Sequence, residues 1–170
     1  MPETYDFSDL SKRFGDVMRA SRLNCATAES CTAGLVGHVI TLIAGSSDYF
    51  MGGVIAYSNQ AKVDLLGVRQ ATLDSVGAVS SETALEMAAG ARRALHADVG
   101  IATTGIAGPG GATDRKPVGL VYVAVSTPAG DDVRELRFQS DRLGNIEQAA
   151  DAALSFAIEY LSKHHSTSNG

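Results

Sequence analysis

The chain has 170 residues, of which 45% are hydrophobic and 19% charged, and its formal net charge is −5. This length and composition predict one globular domain over residues 1–170, with a core at about 7–163 and disordered ends. The negative charge and the lack of a basic run argue against broad nucleic-acid binding, and no apolar run approaches the roughly 20 residues that span a bilayer.

The spacing of apolar residues predicts helices and strands in the order α-β-α-β-α-α-β-β-β-α. The predicted helices are Phe7–Ser21, Thr32–Ile43, one or two short helices within Asn59–Val76 broken at Gly67, Ser80–His96 and Arg142–Lys163. The predicted strands are Asn24–Glu29, Gly53–Tyr57, Val99–Thr104, Gly119–Thr127 and Val133–Phe138. Polar capping residues open the helix at Ser80, and the turn Pro128–Asp131 pairs the last two strands as a hairpin.

This order of elements predicts an α/β fold, a sheet with helices on both faces. Strands joined through helices are parallel, and the hairpin adds at least one antiparallel strand. In such sheets the ligand lies beyond the carboxyl ends of the parallel strands. That rule brings three segments to one edge, namely Ala28–Thr32, Ala56–Asn59 and the glycine-rich loop that follows the third strand.

The glycine-rich loop, Gly105–Gly111, follows an apolar strand directly. Glycines there allow main-chain N–H groups to approach a ligand, typically a phosphate or another anion. Gly111 stands where a Walker P-loop needs lysine, and GxGxxG is absent, so the loop favours ligand binding over a plain surface connection without naming the ligand.

The other two segments carry the candidate chemistry. Ser30 falls at a strand-to-helix junction, where the simplest interpretation is a helix N-cap. The same position holds its hydroxyl near free N–H groups of the first helical turn, which can stabilise an oxyanion. Lys62, if buried with a lowered pKa, is the candidate base. Tyr57 either orients or relays protons between Ser30 and Lys62 or packs its ring at the strand end.

Metal chemistry and secretion are both poorly supported by the sequence. None of the four histidines falls in HxH or HExxH spacing, and CxxC is absent, so we expect no metal site. Cys25 and Cys31 are the only cysteines, and we expect no disulfide between them. The acidic N-terminus lacks the features of a signal peptide, which predicts a cytoplasmic protein.

A set of short motifs recurs in a fixed order along the chain. The motifs are AESCTAG at 28–34, AGSS at 44–47, YSNQAK at 57–62, GAVS at 77–80, GIAGPGG at 105–111 and KPVG at 116–119. From about Leu10 to Leu161 the chain therefore resembles the CinA C-terminal domain family, whose characterised activity is nicotinamide-nucleotide amidase. The resemblance implies a three-layer α/β/α sandwich around a mixed, mostly parallel sheet.

The resemblance also implies hydrolysis of the carboxamide of nicotinamide mononucleotide to nicotinic acid mononucleotide and ammonia, in pyridine nucleotide recycling. It assigns Ser30, Lys62 and Tyr57 to catalysis. The implied substrate-binding residues are Cys31 and Thr32, whose N–H groups are the oxyanion candidates, with Asn59, Thr104, Gly105, Ile106, Gly108, Gly110, Gly111 and Arg142. The glycine loop and Arg142 are expected to hold the nucleotide phosphate. No cofactor or metal is required.

The chain departs from the family pattern at two positions. Ala33 replaces a glycine, which matters only if that glycine lets a ligand approach closely, since alanine is otherwise the better residue in a helix. Ser140 replaces the glycine of a Gly-Asp-Arg segment. Many relatives carry a larger domain before this one, and the start at Met1 predicts a stand-alone form.

Two other functions stay open at this point, a non-catalytic nucleotide-binding regulator and a Ser-Lys hydrolase of another small amide. We expect a small-molecule nucleotide as the partner, without nucleic acid or membrane, and leave open a homo-oligomer.

Overall fold

A computed structural model describes residues 5–165, and the terminal residues predicted to be disordered lie mostly outside that range. The helices are α1 (Ser8–Ser21), α2 (Leu35–Ile40), α3 (Asn59–Leu66), α4 (Gln70–Val76), α5 (Ser81–Leu95) and α6 (Arg142–His165). The strands are β1 (Cys25–Glu29), β2 (Phe50–Ile55), β3 (Val99–Gly105), β4 (Leu120–Thr127) and β5 (Gly130–Arg137). A short 3-10 helix covers Ser46–Asp48.

The five strands form one sheet in the order β2-β1-β3-β4-β5. β1 runs parallel to β2 and β3, whereas β4 is antiparallel to both β3 and β5. Only β4 therefore points the other way, which confirms the mixed, mostly parallel sheet and the hairpin. Glu29 at the end of β1 pairs with Ile55 on β2 and Thr103 on β3, so the three parallel strands end at one edge.

Helices cover both faces of the sheet, as the order of elements predicts. One core joins α1, α2 and α6 to the sheet, and it includes Phe14 of α1, Ile101 of β3 and Leu154 of α6. The other core packs α5 against a face of small residues that includes Ala26, Ala102 and Ala124. The small side chains bring α5 close to the sheet, and a Cβ at Gly100 would collide with the carbonyl of Ala88 on α5.

Several predicted boundaries are confirmed. The Oγ of Ser80 caps α5 by accepting from the N–H of Thr83 at 3.2 Å. Gly67 ends α3 in the left-handed conformation, with φ of 67°. The β4–β5 hairpin pairs Thr127 with Gly130 across a two-residue connection.

The predicted helix Thr32–Ile43 is wrong at its start, because α2 begins only at Leu35. Ala33 has φ of 47° and Gly34 has φ of 104°, and neither left-handed residue continues a right-handed helix. Ser30 therefore lies five residues before the start of α2, whose N-cap position is Gly34. The expectation that Ala33 is helical is wrong for the same reason.

The second strand also differs from its prediction. β2 ends at Ile55 rather than Tyr57, so Ala56 and Tyr57 lie in the turn that leads to α3. Their carbonyl groups accept hydrogen bonds from Lys62 instead of joining a strand ladder.

Three further observations bear on the possible classes of site. Within residues 5–165, none of the helices is both long and apolar enough to cross a bilayer. The same residues contain no group of three or more His, Cys, Asp or Glu side chains that could hold a metal. Cys25 and Cys31 are buried free thiols.

The substitution Ala33→Gly is expected to raise the free energy of unfolding by about 0.5 to 1 kcal/mol, because removing the Cβ relieves left-handed strain at a modest cost in unfolded-state entropy. Ala152→Gly within α6 is the matched control and should lower it by about 1 kcal/mol. Urea unfolding of both variants measures the two changes. A loss of stability in Ala33→Gly would contradict the left-handed conformation of Ala33.

Candidate active site

The turn that carries Ser30 is fixed against both neighbouring strands. The N–H of Ser30 donates to the carbonyl of Thr103 on β3 at 3.0 Å, and the N–H of Ala56 donates to the carbonyl of Glu29 at 2.9 Å. The end of β1 is thus tied to β3 on one side and to the segment after β2 on the other, which places Ser30 between them.

The buried carboxylate of Glu29 organises the inner side of this turn. One oxygen accepts from the N–H of Gly34 at 3.2 Å and of Val36 at 2.8 Å, and the other from the N–H of Gly37 at 3.0 Å. These are free N–H groups at the start of α2, so Glu29 takes the capping role that the sequence suggested for Ser30.

Thr32 is part of the same buried network. Its hydroxyl lies 2.6 Å from the Glu29 carboxylate and 2.7 Å from the Oγ1 of Thr103. The Thr32 side chain therefore faces the interior, and only its N–H remains a candidate for substrate contact.

Lys62 reaches Ser30 from the first turns of α3. That helix is capped by Ser58, whose Oγ accepts from the N–H of Ala61 at 3.0 Å. The Lys62 side chain is 1% exposed. Its Nζ lies 3.0 Å from the Oγ of Ser30, 3.0 Å from the carbonyl oxygen of Ala56 and 3.2 Å from that of Tyr57.

Burial lowers the pKa of Lys62 from its usual value of 10.5, because the charged form loses its hydration. The two carbonyl oxygens around Nζ can only accept hydrogen bonds, so each takes one N–H. A neutral amine has two N–H bonds and one lone pair. With both N–H bonds donated to Ala56 and Tyr57, the lone pair is left for the hydroxyl proton of Ser30.

Cys31, next to the serine, does not supply a competing nucleophile. Burial raises the pKa of its thiol to about 12. Since the thiolate is the reactive form of cysteine, the Cys31 side chain is unreactive near neutral pH.

Ser30 and Lys62 open into a cavity of about 190 Å³. Its walls include eight of the predicted site residues, namely Ser30, Cys31, Tyr57, Asn59, Lys62, Thr104, Gly105 and Arg142. A second cavity of about 750 Å³, with mostly apolar walls, shares Ala107 and Arg142 with the first. The two cavities thus adjoin at Ala107 and Arg142, and the Ser30–Lys62 pair lies in the smaller one.

Backbone N–H groups near Ser30 are the candidates for an oxyanion hole. The N–H groups of Ser30 and Ala33 are both used, for Thr103 and for Ser30 itself. Among the described residues the N–H groups of Cys31 and Thr32 donate to no other residue, the Cys31 N–H facing only its own thiol, which leaves these two in the turn. They lie outside α2, so a helix dipole contributes less than the sequence suggested.

Tyr57 lies differently from its predicted relay position. Its side chain is 61% exposed, and its hydroxyl lies 3.4 Å from Nη2 of Arg142. Because Lys62 contacts Ser30 directly, the site needs no relay through the Tyr57 hydroxyl. The Tyr57 carbonyl, rather than its hydroxyl, contacts the lysine.

The other loop residues predicted to bind substrate do not line the smaller cavity. Ile106 uses its N–H for Leu120 and its carbonyl for Gly119, so its backbone is unavailable to a ligand. Gly108 accepts from Nη1 of Arg142 at 2.7 Å through its carbonyl. The other two such residues are Gly110, which borders open space, and Gly111. Thr104, by contrast, lines the smaller cavity, and its hydroxyl donates to the carbonyl of Ala78 at 2.8 Å.

Sequence reasoning missed several residues that shape the site. Ala78, Val79 and Ala107 line the smaller cavity, but the sequence singled out only the motifs that contain them and not these residues. Glu29 and Asn145 hold its loops. Each had a usable signal, since a carboxylate that ends a strand of otherwise uncharged residues, or an amide on the apolar face of a helix, must find partners when it is buried.

The sequence pattern of the CinA C-terminal domain matches residues 7–161 of this chain. The chain belongs to the CinA C-terminal domain family. A CinA-like protein from Chloroherpeton thalassium is 48% identical over 156 residues, which cover 89% of this chain and 37% of that relative. The chain thus spans well under half the length of the curated relatives it matches.

Solved structures of CinA proteins share the fold. The competence/damage inducible protein CihA from Agrobacterium tumefaciens superposes with a TM-score of 0.86 at 40% identity, covering 94% of this chain and 98% of that one. A CinA superfamily protein from Klebsiella pneumoniae gives a TM-score of 0.90 at 31% identity, covering 94% and 99%.

The lowered pKa of Lys62 predicts how the stability of this CinA domain changes with pH. Between that lowered pKa and 10.5, the unfolded chain holds a proton on Lys62 that the folded chain has lost, so stability rises with pH. Relative to Lys62→Met, the wild type should therefore gain stability as the pH rises from the lowered pKa of Lys62 to 10.5. Urea unfolding across the pH series measures the difference.

Lys12→Met, the same replacement on an exposed position of α1, is the matched control and should follow the wild-type curve. If the free energies of unfolding of wild type and Lys62→Met differ by the same amount at every pH, burial does not lower the pKa of Lys62.

Proposed function

We propose that this CinA domain is an amidohydrolase that converts nicotinamide mononucleotide to nicotinic acid mononucleotide and ammonia through an acyl-serine intermediate. The observation that carries the proposal is the direct 3.0 Å contact between the Ser30 Oγ and the buried Nζ of Lys62. A binding protein needs neither a nucleophile nor a neutral amine there.

In the proposed first half-reaction, the neutral Nζ of Lys62 takes the hydroxyl proton as the Oγ of Ser30 attacks the carboxamide carbon. The N–H groups of Cys31 and Thr32 stabilise the oxyanion. The tetrahedral intermediate then collapses, the C–N bond breaks, and Lys62 delivers its proton to the leaving nitrogen, which departs as ammonia.

In the second half-reaction, water attacks the acyl-serine ester and Lys62 again takes the proton. Collapse returns that proton to the Oγ of Ser30 and releases the carboxylate product. The lowered pKa of Lys62 suits this cycle, because the residue must be neutral at the start and end of each half and protonated only while the tetrahedral intermediate exists.

The rest of the substrate follows from the shape of the site. The 190 Å³ cavity is suited to the carboxamide and its ring, and the adjoining 750 Å³ cavity to the remainder of the nucleotide. Arg142 lines both cavities and is the cation for the phosphate, with the glycine loop beside it. A cytoplasmic location and a single domain over residues 1–170 stay predictions from the sequence, and the oligomeric state stays open.

The first test concerns the Ser30–Lys62 pair. Ser30→Ala should lower ammonia release from nicotinamide mononucleotide by more than about a thousand-fold. Lys62→Arg keeps the positive charge but cannot deprotonate, so it should be nearly inactive while still binding the nucleotide. A turnover assay with calorimetry measures both, and Lys12→Arg on α1 is the matched control.

Each other outcome has a meaning. Substantial turnover by Lys62→Arg would rule out the general-base role, and wild-type activity in Ser30→Ala would rule out the nucleophile. Loss of binding together with turnover in Lys62→Arg would make Lys62 a ligand contact and favour a nucleotide-binding regulator.

The second test concerns the phosphate. The nucleotide should be hydrolysed with kcat/KM about ten- to a hundred-fold above that of nicotinamide riboside or free nicotinamide, because a charge-assisted contact to Arg142 adds binding only for the nucleotide. Arg142→Ala should remove most of this advantage, and Arg13→Ala on α1 should keep it. Equal kcat/KM for all three compounds would indicate a hydrolase of another small amide.

A further inference from the structure

Asn145 is an amide in an otherwise apolar environment. It lies near the start of α6, is 1% exposed, and shares its face with Ala149 and Ala153. Burying an amide costs free energy unless it is hydrogen-bonded, and an apolar side chain of similar size would avoid that cost. The role of Asn145 therefore depends on its two hydrogen bonds rather than on packing.

Both hydrogen bonds join loops that border the candidate site. The Nδ2 of Asn145 donates to the carbonyl of Ala107 in the glycine loop at 3.0 Å, and its Oδ1 accepts from the N–H of Ser140 at 3.0 Å. Ala107 lines both cavities, and Ser140 lines the larger one. One side chain thus fixes two walls of the site relative to each other.

The glycine loop has few other attachments. Ile106 still pairs with Leu120 and Gly119, but between Ile106 and Thr113 of the described chain the loop is held by two side chains of α6. Asn145 holds the carbonyl of Ala107, and Arg142, three residues earlier on the same helix, holds the carbonyl of Gly108. The position of the loop beside Arg142 therefore depends on Asn145.

We propose that Asn145 is a positioning residue for the phosphate-bearing half of the substrate. It holds the glycine loop against α6, so that the loop backbone and the guanidinium of Arg142 face the phosphate together. Asn145 lines neither cavity, and it does not contact Ser30 or Lys62. Its loss should weaken nucleotide binding and leave the chemistry at the carboxamide intact. This inference rests on the proposed function.

The test is Asn145→Leu, which removes both hydrogen bonds, keeps the branching and the number of side-chain heavy atoms and adds no charge that could repel a phosphate. KM for nicotinamide mononucleotide should rise about ten-fold while kcat changes less than about two-fold. KM for nicotinamide riboside should not change. Gln148→Leu, the same replacement one turn further along α6, is the matched control and should keep the wild-type values.

A merely structural role would give a different result. Asn145→Leu would then lose stability but keep the wild-type ratio of kcat/KM between nucleotide and riboside, or would lower kcat for both. Either result overturns the inference and leaves the proposed function standing. If Asn145→Leu does not fold by circular dichroism, Asn145→Ser, whose side chain is too short to span both loops, carries the same expectations.

Calorimetry separates this inference from the proposed function. If the wild type binds nicotinamide mononucleotide but releases no ammonia, the amidase proposal fails, and weaker binding by Asn145→Leu still supports the positioning role. If the wild type neither binds nor hydrolyses the nucleotide, both proposals are wrong.

Discussion

The carboxylate of Glu29, buried at the end of the central strand β1, is the point on which the geometry of the site depends. It accepts from three N–H groups at the start of α2 and from the hydroxyl of Thr32. A buried carboxylate is tolerated only when such donors surround it. Those donors are available because the chain turns through left-handed residues at Ala33 and Gly34, and the same turn presents Ser30 at the sheet edge.

Lys62 meets the opposite constraint. A buried lysine has lost its water and is stable only as a neutral amine or with acceptors around it. The carbonyl groups of Ala56 and Tyr57 supply two acceptors because β2 ends before them, and Ser30 occupies the third position. The features that make Lys62 costly to bury also favour the neutral form that can take a proton from a serine.

The phosphate-binding half of the proposed site is built in another way. In the glycine loop, the carbonyl groups of Ala107 and Gly108 are held by side chains from α6 rather than by a sheet. A loop attached through Asn145 and Arg142 depends on residues more than thirty positions away in sequence. The stability of the core and the position of the loop therefore depend on different contacts.

The amino-acid sequence by itself determined the order of helices and strands, the hairpin and the sheet edge that carries the site. Apolar periodicity and turn residues are local, so they encode these features directly. The ordered motifs indicated the family and the pairing of Ser30 with Lys62. Most predicted boundaries lie within a few residues of the observed ones.

Only the tertiary structure decided how the site is assembled. The start of α2, the end of β2 and the place of Tyr57 depend on hydrogen bonds that Glu29 accepts and Lys62 donates, with partners on neighbouring segments. The partners of Asn145 are equally distant in sequence. No local pattern records such contacts, because whether a buried polar group is satisfied depends on which segments the fold brings together.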